Sequence, residues 1–388
     1  MKSVLLRAPV LSKSGYGEHS RQILRYLLEK NINVSIQALN WGITPWYLND
    51  SDCDGLIGKA LQLCDYQEDK RYDVSIQCQL PNEWDTTLAK TNIGVTAGVE
   101  TTFANPTWAS LHVAKMDKVI VPSNFTKKSL LKKAYVDTEV DVVPESYFSE
   151  VVKEPTDDIF KNDLDTDFNF LTVGVLTGMS AGTDRKNLFY LIKWFIEEFK
   201  NDSNVGLVVK TNRGRDTAID KVGTERLLTE VLRELNHNGT PKVYLLHGQM
   251  TREEMTNVYK DEKIKGYLTA TRGEGFGLPI LEAATAGLPV IGTNWSAHTE
   301  FMDLGEWSAV DFDLEEVDTQ KIDGNIFIEG TKWAFPKEKD FKQSMRNVYK
   351  DNKTYKDKAR KLSSILAKKY STKEINKRYD EVLEGILS

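Results

Sequence analysis

The residues with the clearest chemical potential are two glutamates in one short stretch. The run Tyr267-Leu268-Thr269-Ala270-Thr271-Arg272-Gly273-Glu274-Gly275-Phe276-Gly277-Leu278-Pro279-Ile280-Leu281-Glu282 reads as a buried strand ending near Thr269, a glycine-rich loop, and a helix from Leu278. Pro279 suits the first turn of that helix. Alternating glycines let the backbone approach a ligand closely, and the free N–H groups of a helix start favour an anion such as pyrophosphate. Glu274 lies in the loop and Glu282 on the helix, with seven residues between them. Helical rise of about 1.5 Å per residue would separate them by roughly 10 Å. Carboxylates accept hydrogen bonds from paired hydroxyls. The pattern therefore suits a ligand with hydroxyl-bearing groups on both sides of a phosphate, as the sugar and ribose of a nucleotide sugar are.

The elements around this stretch must hold it in place. Short β-branched runs alternate with amphipathic helical stretches along most of the chain. Residues 3–8, 33–38, 74–77, 93–99, 118–121 and 139–143 read as strands. Helices are expected over 17–30 and 124–133, with Ser123 as an N-cap. A polar, acidic segment from about Glu150 to Asp167 reads as a linker. The pattern then restarts, with strands over 168–175, 205–209, 243–246, 266–269 and 289–292 and helices between them. Such alternation implies α/β architecture with parallel sheets covered by helices on both faces. Two blocks predict two Rossmann-like domains, 1–160 and 161–371, with ligands at the carboxyl ends of the strands and in the cleft between the domains. The stretch from Phe341 to Ser388 reads as helical throughout.

The Glu274–Glu282 segment resembles the E-x7-E signature of family 4 glycosyltransferases. The likeness runs on through Gly287-Leu288-Pro289-Val290-Ile291-Gly292-Thr293-Asn294 and covers Val243–Thr251 and, more loosely, Thr172–Asn187. It implies the GT-B fold, with the C-terminal domain binding the donor, the N-terminal domain binding the acceptor, and the terminal helix 372–388 packing back on the N-terminal domain. It implies transfer of a sugar from a nucleotide-sugar donor, such as a UDP- or GDP-sugar, to an acceptor hydroxyl with retention of configuration. No metal or other cofactor is expected. By the same resemblance, Glu274 would contact the donor sugar and Glu282 the ribose. Gly275, Phe276 and Gly277 would offer backbone N–H groups, with Leu278 beginning the helix behind them. Lys186 matches the lysine that neutralises the pyrophosphate. The family's arginine falls where this chain has Val175, so Arg185 or Lys210 is the candidate substitute. His247 ends a strand where the nucleotide base would lie. Gly17, within Ser14-Gly15-Tyr16-Gly17, matches the loop under the donor phosphates. Glu100 is the polar residue nearest the strand end where the family often has a histidine, and is the acceptor-side candidate. Trp41, Trp46, Trp84 and Trp108 could build an aromatic platform or pack in the core.

Composition narrows the classes. The chain has 388 residues, 40% of them hydrophobic and 28% charged, with a net charge of −6. That balance gives no global attraction to polyanions. A modified-DNA acceptor, one of the alternatives beside a glycan or a small molecule, would need local patches such as Lys127-Lys128 with Lys132-Lys133. No run approaches the roughly 20 apolar residues of a membrane span. The start Met1-Lys2-Ser3-Val4-Leu5 reads as a strand rather than a leader, and cytoplasmic location is expected. Three cysteines, Cys53, Cys64 and Cys78, have no metal-ligand spacing. The acidic runs 50–54 and 163–167 lack the glycine and glutamate of a calcium loop. Two other classes would use similar parts: a glycoside hydrolase with paired carboxylates, and a non-catalytic two-lobed sugar-binding protein.

Overall fold

The computed structural model describes residues 2–161 and 163–388. Two compact units emerge: Met1–Ser146 with Asp323–Thr331 and Thr372–Ser388, and Tyr147–Ile322 with Lys332–Ser371.

The first unit is built on six strands: β1 (Ser3–Ala8), β2 (Asn33–Ala38), β3 (Tyr72–Cys78), β4 (Ala89–Val95), β5 (Lys118–Val121) and β6 (Val140–Val142). Their order is β2-β1-β3-β4-β5-β6, and every pairing is parallel. Helices α1 (Gly15–Glu29), α2 (Leu56–Gln62) and α3 (Asn124–Leu131) connect them. Helix α1 starts where the sequence allows a cap: Ser14 Oγ accepts from the Gly17 N–H at 3.0 Å. Ser123 caps α3 through the Thr126 N–H in the same way.

The second unit repeats the scheme with β7 (Phe168–Val173), β8 (Val205–Thr211), β9 (Lys242–His247), β10 (Ile264–Thr269), β11 (Val290–Thr293) and β12 (Ser308–Val310). The order is β12-β11-β10-β7-β8-β9, again all parallel. Helices α4 (Leu188–Glu198), α5 (Ala218–Glu234), α6 (Arg252–Lys260), α7 (Leu278–Thr285) and α8 (Thr299–Met302) lie between strands. Helix α4 buries Trp194, Phe195 and Phe199 follows it into the same core, against Phe170 of β7. A hairpin of β13 (Phe312–Glu316) and β14 (Lys332–Pro336) follows β12.

The C-terminal stretch is three helices: α9 (Glu338–Lys350), α10 (Asn352–Lys369) and α11 (Thr372–Leu387). Asp351 ends α9 and caps α10 through the Thr354 N–H. Helix α11 belongs to the first unit and packs on α1 there. Tyr26 Oη donates to Asp380, His19 Nε2 meets Tyr379 Oη at 3.1 Å, and Asn376 Nδ2 donates to Glu29.

Three details differ from the sequence reading. The segment expected as a linker is packed on the second unit, whose boundary falls at Ser146 and not at 160. Val151 is fully buried, the Thr156 N–H donates to Asn257 Oδ1 at 2.9 Å, and the Asp165 N–H donates to Tyr244 Oη. Acidic composition hid these anchors because the polar side chains bond along α6 and β9. Residues 323–331, at the tip of the β13–β14 hairpin, belong to the first unit, where Asn325 Oδ1 accepts from Trp108 Nε1. Strand β4 stops at Val95, short of the expected Val99, because Gly98 takes φ +65° and Thr96 turns its hydroxyl to the Gly98 N–H.

Candidate active site

Strands β10, β7 and β8 are neighbours, and the loops at their carboxyl ends converge. Parallel sheets place ligands at such ends. The loop after β7 is organised by one buried carboxylate. Asp184 Oδ1 accepts from the Thr177 N–H and hydroxyl, and its Oδ2 accepts from the Leu188 N–H at 2.8 Å. That holds a tight turn and begins α4 at Asn187, which has φ +56°. The turn presents Arg185 and Lys186 side by side.

Both cations reach Glu274, which follows β10. Lys186 Nζ donates to Glu274 Oε1 and Oε2 at 2.7 and 2.8 Å, and Arg185 lies 3.3 Å from Oε2. Arg185 also donates to the Gly273 carbonyl. Glu274 is only 5% exposed. Burial alone would raise its pKa, but Lys186 and then Arg185 outweigh it and hold the carboxyl at about 2. Glu274 is therefore an ionised carboxylate in a buried setting, paired with two cations.

The backbone of Glu274 is fixed from β11's far end. Its N–H donates to Ser296 Oγ at 2.9 Å, and its carbonyl accepts from the Ala297 N–H. Ser296 sits at φ +83°, a conformation side chains seldom adopt. His298, fully buried, meets the Thr293 carbonyl through Nε2 and the Ser296 hydroxyl through Nδ1. Burial pushes its pKa down. Arg272 ties the two loops together: its guanidinium donates to the carbonyls of Ala181 and Gly182 and stacks over Trp333 and Phe335.

Helix α7 starts after Gly277, whose φ of +101° requires a glycine-like backbone. A Cβ there would also lie 3.2 Å from the His298 Cβ. Because α7 begins only at Leu278, the helical rise expected between Glu274 and Glu282 applies to its second half alone. Phe276 does not point into the opening: its ring packs with Phe301 and Tyr370 and anchors the loop. Glu282 accepts from Tyr259 Oη at 3.1 Å. Both glutamates act on Tyr267, whose hydroxyl is pushed strongly upward by burial and then by Glu274 and Glu282. The two carboxylates therefore share one electrostatic neighbourhood.

A hollow opens here, lined by Lys186, Lys210, Glu274, Tyr267, Thr269 and the Gly174-Val175 backbone turn. Lys210 stands opposite Val173 in the β7–β8 ladder and donates to the Gly248 carbonyl at 2.6 Å. Burial lowers its pKa, with Asp216 and Glu282 opposing. So the hollow has Val175 where the resemblance places arginine, and a lysine from the adjacent strand at the same wall.

The remaining candidate residues sit on other elements of the two units. His247 ends β9, but its Nε2 is engaged by Asp220 at 3.0 Å. Gly17 lies inside α1 of the first unit, where a Cβ would overlap the Ser12 carbonyl at 1.9 Å. It is there to let the helix start against that loop. Glu100 lies in the first unit too, in the loop that follows β4. Trp84 and Trp108 are core residues, while Trp41 stacks on Tyr16 with centroids 3.9 Å apart. Tyr16 Oη in turn meets Thr96 Oγ1 and accepts from the Ala97 N–H. The sequence reading missed Asp184, Arg272, Ser296 and His298. Only a buried aspartate one residue before an Arg-Lys pair gave a local signal. Among the described residues, no group of three or more His, Cys, Asp or Glu could hold a metal ion, and no helix is long and apolar enough to cross a membrane.

Residues 160–314 match the family of glycosyl transferases group 1. No curated protein matches the sequence. Among solved structures, the sucrose-phosphate synthase of Thermosynechococcus elongatus is similar with a TM-score of 0.66 at 14% identity, over 100% of this chain and 99% of that one. A glycosyltransferase from Rickettsia africae gives a TM-score of 0.65 at 14% identity, over 100% and 99%. Anabaena HepE, solved in complex with UDP-glucose, gives 0.63 at 12% identity, over 99% and 100%. The fold is that of GT-B glycosyltransferases along the whole chain, the matched segment contains the entire Glu274 constellation, and the protein is a glycosyltransferase.

Proposed function

We infer that this glycosyltransferase is a retaining enzyme of the family 4 type, taking a nucleotide sugar in the hollow beside Glu274 and passing the sugar to an acceptor hydroxyl. The observation that carries the reading is the charge arrangement: an ionised, buried carboxylate shared by Lys186 and Arg185 next to the start of α7. In this reading Glu274 accepts from hydroxyls of the donor sugar, and Glu282 from the ribose. Lys186 and Arg185 divide their hydrogen bonds between Glu274 and the diphosphate. Lys210 supplies a third cation, on the wall where an arginine at Val175 would stand. The amides at the start of α7 complete the anion site.

The reaction then follows from that electrostatics. The bond from the anomeric carbon to the diphosphate oxygen breaks, and Lys186, Arg185 and Lys210 stabilise the negative charge left on the phosphate. The acceptor oxygen attacks from the same face and bonds to the anomeric carbon. Its proton passes to the departing phosphate oxygen. Donor and product thus share one anomeric configuration. The acceptor belongs to the hydroxyl-bearing class, a glycan or small molecule, and Glu100 is the proposed residue to orient it. A UDP-sugar is the first donor to try, since the similar HepE structure holds UDP-glucose. Proton NMR of the product formed from an α-linked donor tests the stereochemistry. An α-configured product is expected, and a β-configured one would reject the retaining mechanism.

A further inference from the structure

The second unit has another hollow, of about 200 Å³, at the amino ends of β11 and β12. Strand ends of opposite polarity separate it from the Glu274 site. Leu288, Met302, Ala359 and Leu362 form its apolar floor, all buried. Trp307 and Tyr355 provide two aromatic walls. Lys358 and Glu306 meet at the mouth, 2.6 Å apart. An apolar floor with aromatic walls and a few polar groups at the mouth is the usual lining of a small-molecule site.

The ion pair indicates the sign of the ligand. Glu306 is the looser partner, its side chain 66% exposed against 39% for Lys358. Lys358 is further held over the Tyr355 ring, 5.9 Å from its centroid. An incoming anion can take the place of Glu306 on a lysine that stays put. Glu306 then returns to water at little cost, since exposed pairs contribute little.

Trp307 also connects this hollow to the catalytic side. Its ring stands edge-on to His298, with centroids 6.0 Å apart and planes at 78°. It also lies under β11, 3.5 Å from where a Gly292 Cβ would be. His298 bonds Ser296, and Ser296 holds the Glu274 N–H. The indole, whose Nε1–H donates to Asp303 Oδ1 at 2.9 Å, is thus in contact with a residue of the chain that fixes Glu274.

We propose that this hollow is a binding site for a small planar aromatic acid, its ring between Trp307 and Tyr355 and its carboxylate on Lys358, and that occupancy alters the order of the 294–298 loop. The probe is naphthoate, titrated by calorimetry into the full chain. Saturable binding at one site per chain is expected. Lys358→Met should weaken it by about tenfold or more, Lys358→Arg should retain it, and Lys186→Ala should leave it unchanged. Circular dichroism confirms that each variant is folded. Naphthoate should also change hydrogen exchange at the Glu274 and Ala297 amides, and this response should vanish in Trp307→Leu. Absence of saturable binding, equal binding by Lys358→Met, loss of binding in Lys186→Ala, preference for the analogous naphthylmethyl ammonium, or an exchange response unaltered in Trp307→Leu would each overturn the proposal. None of these readouts uses a nucleotide sugar, so they stand or fall separately from the donor reading.

Discussion

Glu274 is the residue on which most of the site's electrostatics turns. Its carboxyl titrates near 2 rather than at its usual value of 4.5. A depressed acid contributes stability above its unfolded pKa and loses it as pH falls through the folded one. The contribution is thus complete above about pH 4.5 and fades toward pH 2, and the shift corresponds to roughly 3 kcal/mol. Glu274→Gln should therefore lower the thermal midpoint clearly at pH 6 and much less at pH 3. A gap that stays constant with pH would mean that Lys186 and Arg185 do not set the charge of Glu274. The same variant should cut turnover by about a hundredfold or more, as removal of an electrostatic contact at a reacting centre does. At this scale the motif made Glu274, Glu282 and Lys186 legible, because loop glycines and helix starts have local chemical logic. Ser296 and Arg272 were not legible. Their value lies in a hydrogen bond to the Glu274 N–H and in a bridge to residues 181–182, and only the folded sheet creates those contacts.

At the level of elements, the start of α7 is the sensitive point. Gly277 combines φ +101° with a near contact to His298. Gly277→Ala should cost about 1–2 kcal/mol through the left-handed backbone. It should also weaken donor binding more than that stability loss explains, because the amides that follow Gly277 would be re-aimed. Equal donor affinity in the variant, measured by calorimetry, would detach the α7 start from the site. The alternation of strands and helices was readable throughout, since buried parallel strands are short β-branched runs. The β13–β14 hairpin was not, because its strands carry charges such as Asp313, Glu315 and Lys332 that disguise the period. The Glu150–Asp167 segment misled for a related reason. Glu154, Asp157, Asp158, Asp163, Asp165 and Asp167 are exposed while Val151, Phe160 and Leu164 are buried beside them.

Across the whole molecule, each compact unit is assembled from separated pieces of chain. The first unit takes back Thr372–Ser388, whose Ile375, Tyr379 and Leu383 are buried. At about 1.5–3 kcal/mol per large apolar side chain, removing residues 372–388 should cost that unit roughly 5 kcal/mol or more. Hydrogen exchange should then rise across α1 while β7 to β10 stay protected. Uniform loss of protection would show that α11 supports both units equally. Acid should loosen the same attachment. Burial holds His19 down at about 4, with Glu18 opposing, so the folded form stays neutral where the unfolded form, near 6.5, takes up a proton. Stability of the α1–α11 contact should accordingly decline as pH falls from about 6.5 toward 4.

The central claim is that the hollow bounded by Lys186, Lys210 and Glu274 is where a nucleotide sugar binds. The direct measurement is the thermal midpoint of the full chain with UDP-, GDP-, ADP- and dTDP-sugars, repeated in Lys186→Ala and Glu282→Ala. Binding to the folded form raises the midpoint by mass action. At least one donor should raise it in the natural sequence, and both variants should remain folded and lose most of that rise. A rise of equal size in all three proteins, or none with any donor, would contradict the assignment of the site.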